Sequence, residues 1–522
     1  MLTRYASGGA VAAANHLAAT AGVAMLERGG NAVDAAVAAG AAMAVTSPHM
    51  CGLGGDLFAV VACPGTRPAA LNASGRAGSG ADPERMRAEG VSGMPFQHDV
   101  RAVTIPGCVD GLVALHQRHG TLELTEILRP AQRLAENGFP VSPTLAEASG
   151  ELDPGARRVA FGTDEPLRRG RRLRVPGLAR ALAAVAESGR SGFYEGAVGR
   201  ELVALGAGEF TEDDLALPNA DWVEPLSLDA FGRRLWTAPP NSQGYLVLSS
   251  SFIADAVGIP DDPGDERWAF VLVESARQAA FDRIAVLHEH SDGRQLVAET
   301  RLRPRVQAVR EHANAALAEV YRDGDTTCVC AVDSDQCGVS LIMSNGADFG
   351  SHLVLPEHGI FLHNRGMGFS LQPGHPAEYG PSRRPPHTLT PLVVTRDDGA
   401  LDTVLGTMGA DAQPQVLLQL LARLLVHGED PGQAIRAPRW VLSRDHPTGF
   451  HVWELDGAPL IRLEHGAPAS WKRGLESRGY DTVESTPGDH TFGHAQVIRV
   501  TDDGLFCGAA DPRSGDGACV GR

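Results

Sequence analysis

Apolar and polar positions along the chain change their period several times, and each change marks an element. Small apolar residues dominate Ala12–Glu27, which has helical composition and ends at Arg28-Gly29-Gly30, where glycine suits a left-handed helix terminus. Asn31 can cap a second helix, with Asp34 in its first turn, and the alanine-rich run to Val45 stops at Ser47-Pro48. Small residues on every face of that helix predict close burial. A glycine loop, Cys51-Gly-Leu-Gly-Gly55, then leads into the strand-like Leu57–Ala62. Helical periodicity returns at about Ala269 to His288 and Pro304 to Arg322, and Asp323-Gly324-Asp325 breaks it. Next, Cys328–Val332 and Val339–Ser344 read as strands of a hairpin that turns through Asp333–Gly338. Leu417–Val426 and Pro468–Arg478 read as helices, and Gln496–Val500 pairs with Leu505–Ala509 as a terminal hairpin. There is no internal repeat.

Composition narrows the class of protein. Of 522 residues, 43% are hydrophobic and 21% charged, which suits a folded chain with a sizeable core. The net charge of −17 disfavours nucleic acid as a partner. The longest apolar run, Ala35–Val45, is about half the ~20 residues a membrane span needs, and the N-terminal stretch lacks the aliphatic core of a signal peptide. A protein without membrane contact, placed in the cytoplasm, is the expectation. Eight cysteines are ordinary usage and predict free thiols. The arginine-rich stretch Asp153–Pro176 reads as a solvated surface excursion.

Some local features invite chemistry and do not support it. Gly52–Gly55 lacks the lysine of a phosphate-binding loop and the downstream acid of a dinucleotide site. The side chains of His288 and His290 point apart on a helix, and no third ligand is near in sequence, so no metal is expected. Cys328 and Cys330 share one face of a strand, where two small buried side chains are the simplest reading. No cofactor is implied.

The motifs with the most information are Gly29-Gly-Asn-Ala-Val-Asp-Ala-Ala36, Ser47-Pro-His49, Gly52-Leu-Gly-Gly55, Asp325-Thr-Thr327, Asp348-Phe-Gly-Ser351, Asn364-Arg-Gly366 with Gly368-Phe-Ser-Leu371, Pro373-Gly-His-Pro376 and Ala510-Asp-Pro-Arg513. In this order, over about Gly8 to Gly521, they resemble the γ-glutamyltransferase family. The resemblance implies an α/β (α+β) fold, the four-layer αββα sandwich of the N-terminal nucleophile hydrolases. It also implies a precursor cut between Asp325 and Thr326 into a large chain, 1–325, and a small chain, 326–522, interleaved in one unit. Thr326 would then be the nucleophile. A threonine hydroxyl is weak at neutral pH, and a free α-amine of pKa ~7.7–8.0 on the same residue can serve as its base.

Gly406-Thr-Met-Gly-Ala410 matches the family loop that forms an oxyanion hole, which assigns that role to the backbone of Gly409 and Ala410. The family usually has glycine at Ala410, so a positive φ there would carry a cost. The resemblance places Arg76 on a substrate carboxylate and counts Asn345, Arg365, His387 and Thr388 among substrate-binding residues, although the alignment slips by one at Asn345. Two departures bear on specificity. Gly368 stands where transpeptidases of the family hold the substrate's amino group with aspartate, and His387-Thr388 replaces two serines. The connection from Ser370 to Arg384 also looks trimmed, which would admit water.

The expected activity is therefore hydrolysis of a γ-glutamyl-like amide on a small, carboxylate-bearing substrate, through an acyl-enzyme resolved mainly by water. The expected assembly is a heterodimer of self-cleaved chains, with further pairing left open. A specialised acylase or carbon–carbon bond hydrolase on a biosynthetic intermediate is the second reading. An uncleaved binding protein is the third.

Overall fold

The computed structural model describes residues 3–310, 326–443 and 460–522. Fourteen strands build its two large sheets: β1 Arg4–Ala6, β2 Gly9–Ala13, β3 Asp56–Ala62, β4 Ala69–Ala73, β5 Asp221–Val223, β6 Leu226–Ala230, β7 Arg233–Thr237, β8 Thr327–Asp333, β9 Gly338–Ser344, β10 Leu392–Thr395, β11 Leu401–Thr407, β12 Ala495–Val500, β13 Phe506–Ala510 and β14 Ala518–Gly521. One sheet runs β14-β2-β8-β9-β3-β4-β5 and the other β1-β13-β12-β11-β10-β7-β6. Every pairing in both is antiparallel.

Side-chain alternation along the strands sorts the core into layers. Val329 and Ala331 of β8 pack with helices α1, His16–Glu27, and α2, Ala32–Thr46. Cys328, Cys330 and Val332 point the other way and meet Val393, Val404 and Ile498 of the second sheet. The outer face of that sheet, with Leu392, Leu405 and Val497, is covered by α3, Tyr245–Val257, α4, Glu266–Ala280, and α5, Gln413–Leu421. The result is the expected αββα sandwich.

Several expected elements shift. The first helix starts at His16, because Gly9–Ala13 is instead a strand paired with Val329–Asp333, and Asn15 caps the helix by accepting from Leu17 N. Asn31 and Asp34 form the capping box of α2, and every residue of that helix is buried. Within the arginine-rich stretch, Arg157 is buried rather than solvated, because its guanidinium satisfies the carbonyls of Ser149, Leu152 and Asp164. The expectation of free thiols fails at one pair. Ala62 and Gly338 are register partners, so Cys63 and Cys337 face each other one step on, with Cα atoms 4.1 Å apart, and are joined as a disulfide. The remaining six cysteines are free. The helix expected over 304–322 is described as Glu299–Arg310, and the rest of that span, with Asp325, lies outside the described residues.

The glycine loop before β3 is a packing device. A Cβ on Gly54 would lie 2.2 Å from the carbonyl oxygen of Phe361, and one on Gly55 would lie 2.4 Å from that of Ser344. The loop thus presses backbone against backbone at the end of β9. Gly54→Ala should cost roughly 1–3 kcal/mol through forced displacement. Urea unfolding will read this as a lower midpoint, and an unchanged midpoint would refute the close approach.

Candidate active site

β8 and β9 pair antiparallel with Thr327 opposite Met343, so the residue before β8 meets the last residue of β9. There, the Oγ1 of buried Thr326 donates to Ser344 Oγ at 3.2 Å. Arg365 Nη2 donates to the same Ser344 oxygen at 3.1 Å, and Arg365 Nη1 donates to Thr388 Oγ1 at 3.2 Å. One chain of contacts thus links Thr326, Ser344, Arg365 and Thr388. It borders a cavity of about 390 Å³ whose lining includes Arg365, Gly368, Phe369, Thr388 and Ala410.

Gly409 and Ala410 follow β11 with φ of 135° and 43°. The left-handed conformation expected to burden a non-glycine residue is therefore present at Ala410, at about 1–2 kcal/mol. Tertiary contacts hold it: Gln243 Nε2 donates to the carbonyls of both Thr388 and Ala410, and Asp411 forms a fully buried ion pair with Arg283 at 2.8 Å.

The other sequence-derived candidates divide. Thr388 and Arg365 line the cavity. His387 does not; its Nε2 donates to Asp56 Oδ2 at 2.9 Å and its ring packs on Phe58, so it is a buried support behind Thr388. Asn345 is also withdrawn, with its Nδ2 donating to the Pro48 carbonyl. Arg76 is the largest departure from expectation. Its Nη2 donates to Asp221 Oδ2 at 2.9 Å, an oxygen shared with Arg384 at 2.7 Å, and it is absent from the cavity lining. Gly368 lines the cavity, but a Cβ there would lie 2.7 Å from the Pro386 carbonyl, so an aspartate needs a backbone shift.

Sequence reasoning missed Ser344, Gln243 and Asp56. Ser344 was within reach, since the hairpin register places it opposite Thr326; Gln243 and Asp56 act through contacts distant in sequence. Asp56 Oδ1 accepts from Gly75 N, and its Oδ2 also lies 3.3 Å from His363 Nδ1. Burial alone would raise the Asp56 pKa, yet contact with His363 and His387 outweighs it and holds the carboxyl below its usual range. Among the described residues, one metal-like grouping exists, His98, Asp153 and His352, outside this cavity.

The family model described as Gamma-glutamyltranspeptidase matches residues 18–521. The chain belongs to the gamma-glutamyltranspeptidase family. Among its relatives are the glutathione hydrolase-like YwrD proenzyme of Bacillus subtilis, 35% identical over 98% of both chains, and the oxamate amidohydrolase proenzyme of Klebsiella pneumoniae, 34% identical over 98% of both. The structure is similar to the crystal structure of cephalosporin acylase from Bacillus halodurans, with a TM-score of 0.89, 30% identity, and coverage of 100% of this chain and 97% of that one. This gamma-glutamyltranspeptidase-family chain is thus an enzyme of the N-terminal nucleophile hydrolase type. No helix among its described residues is long and apolar enough to cross a membrane.

Three buried histidines give this family member a pH signature. Burial lowers His387 to about 3, with Arg365 adding to the effect and Asp56 opposing it. Burial likewise lowers His494 to about 3 and His49 to about 4. Between these values and the ordinary 6.5 the unfolded chain binds protons that the native chain does not, so stability rises with pH in that window. The held-down Asp56 acts in the same direction at its lower end. Melting temperature should fall as pH drops from 6.5 toward 4, as calorimetry will record; a flat profile would mean that these rings take up protons in the native state.

Proposed function

We propose that the chain cleaves itself between Asp325 and Thr326 and then hydrolyses amides of small, carboxylate-bearing acyl groups with Thr326 as nucleophile. The observation that carries this reading is the contact chain from Thr326 through Ser344 to Arg365 at the edge of a cavity. Thr326 Oγ attacks the carbonyl carbon, and its proton passes to the α-amine of the same residue. Backbone N–H groups of Gly409 and Ala410 hold the oxyanion. As the C–N bond breaks, the leaving nitrogen takes the proton from the α-ammonium. Water then gives a proton to the amine and attacks the ester, releasing the acid and restoring the hydroxyl.

Topology supports two chains that stay together. In the order β2-β8-β9-β3, strands of 326–522 lie between strands of 1–325, so a cut leaves the backbone ladders on both sides intact. The names of the two relatives support amide hydrolysis, and oxamate carries a carboxylate without an amine. The single arginine and the absence of Asp or Glu from the cavity lining, among the described residues, favour such an acyl group over a γ-glutamyl group. A specialised acylase remains within this reading, and an uncleaved binding protein is the outcome that would replace it.

Intact mass should show pieces of 325 and 197 residues. Thr326→Ala should stay whole and lose more than ~10⁴-fold activity. One uncut wild-type chain, or a cut at another bond, overturns the assignment. On mature enzyme, kcat/KM should rise with pH as the α-amine deprotonates near ~7.7–8.0, shifted by its surroundings. A profile flat from pH 5 to 9 would rule out an amine base where chemistry limits the rate.

A further inference from the structure

Outside the cavity, three segments distant in sequence bring two imidazoles and a carboxylate together. His98 precedes the 3-10 turn Val100–Ala102, Asp153 caps the helix Pro154–Phe161, and His352 follows the motif Asp348–Ser351. One ligand atom of each lies within 4.8 Å of the others, and the two ring centroids are 5.2 Å apart. A bond of 2.8 Å from His98 N to the Ser351 carbonyl joins the first and third segments. Both histidines are left-handed, with φ of 59° and 60°, a conformation that side chains rarely adopt and that clusters at functional positions. The tautomer of His352 is set as well. Its Nε2 lies 3.1 Å from the Asp348 carbonyl, which can only accept, so the proton sits on Nε2 and Nδ1 is left unprotonated. The Gln97 amide is 3.0 Å from the same nitrogen and meets it with its oxygen in this tautomer. A metal-ligating histidine is usually held in this way, by a carbonyl on its second nitrogen. Asp153 accepts from Ala156 N through Oδ1, which leaves Oδ2 for a cation.

We propose that His98, Asp153 and His352 form a site for one divalent transition-metal ion of the zinc class. Two imidazoles and one carboxylate suit a cation of intermediate softness, whereas magnesium and calcium favour oxygen donors alone. Three protein ligands leave one tetrahedral position for water. Bond lengths of ~2.0–2.2 Å put the ligand atoms of a zinc ion roughly 3–3.5 Å apart. The exposed side chains of His98 and Asp153 can turn to close the set to that spacing. The site is one short loop away from the cavity, because Ser92, Gly93 and Met94 belong to the cavity wall and His98 lies further along the same segment. Between them, the Phe96 carbonyl accepts from Asn364 Nδ2 at 3.0 Å. The ion therefore fastens the outer end of a cavity-wall segment to the helix Pro154–Phe161 and to the chain that follows β9.

The test uses the full chain, stripped with a chelator, and cobalt(II) as a spectroscopic probe. One equivalent should bind with the visible absorption of four-coordinate cobalt and without the near-ultraviolet band that a cysteine thiolate would bring. Zinc should displace it, and magnesium and calcium should not. His98→Gln and His352→Gln should each weaken cobalt binding at least tenfold. Asp153→Asn keeps a good helix cap and should weaken binding as well. His16→Gln removes another histidine–aspartate pair, with 3.1 Å between His16 and Asp516, and should leave binding unchanged. Zinc should also raise the unfolding midpoint of the wild type and not that of the double variant His98→Gln/His352→Gln. If a variant fails to fold, the wild type decides: zinc should shield His98 and His352 from carbethoxylation by diethyl pyrocarbonate, as peptide masses will show, while exposed His290 still reacts. No bound cobalt, a thiolate band, variants that bind as well as the wild type, or zinc that leaves His98 and His352 as reactive as before, overturns the site.

Discussion

The backbone ladder β2-β8-β9-β3 is the constraint on which the site depends. β8 and β9 are fully buried and hydrogen-bonded on both edges, so neither can slip without exposing the Val329 and Cys328 faces to the wrong layer. That register fixes Thr326 at the start of one strand against Ser344 at the end of the next. It also explains why glycine occupies the loop into β3: the backbone at Gly54 and Gly55 must lie against the chain that frames this corner. A hydroxyl placed by sheet register rather than by a loop is held within the narrow tolerance that catalysis needs.

Behind the corner, polar groups are buried together instead of singly. Asp56, the first residue of β3, gathers Gly75 N, His387 and His363, and His387 is joined through the chain to Thr388 at the cavity. Arg283 and Asp411 do the same beneath Ala410. Removing one partner from such a pair leaves an uncompensated charge in low dielectric, which costs far more than the pair contributes. These groups therefore hold the Thr388 and Ala410 segments to one arrangement, and the strained φ at Ala410 persists because Gln243 and Asp411 on either side are fixed.

Local chemistry made much of this legible in the sequence. Capping residues placed α2, two short apolar runs about the turn Asp333–Gly338 placed β8 and β9, and the two cysteines on one face of β8 are indeed buried together between the sheets. Motif resemblance gave the layer architecture, which periodicity alone did not. What stayed hidden depended on partners far along the chain. Arg76 pairs with Asp221, 145 residues away, and His387 with Asp56, 331 residues away. Ala12 and Ala13 read as the start of a helix because their strand character comes from pairing with β8, a tertiary contact that outweighs the propensity of alanine.

The same distant pairings bear on how specificity can differ within one fold. An arginine is available to a ligand only to the extent that its own protein has not neutralised it, so position in a motif is not enough. Asp221 draws in both Arg76 and Arg384 at the edge strand β5, which ties the Arg76 guanidinium to that carboxylate. Arg365 donates to two hydroxyls, those of Ser344 and Thr388, which orient its guanidinium at the cavity wall. The Pro386 carbonyl, set where a side chain at Gly368 would begin, keeps a counter-charge from being restored there without moving the backbone.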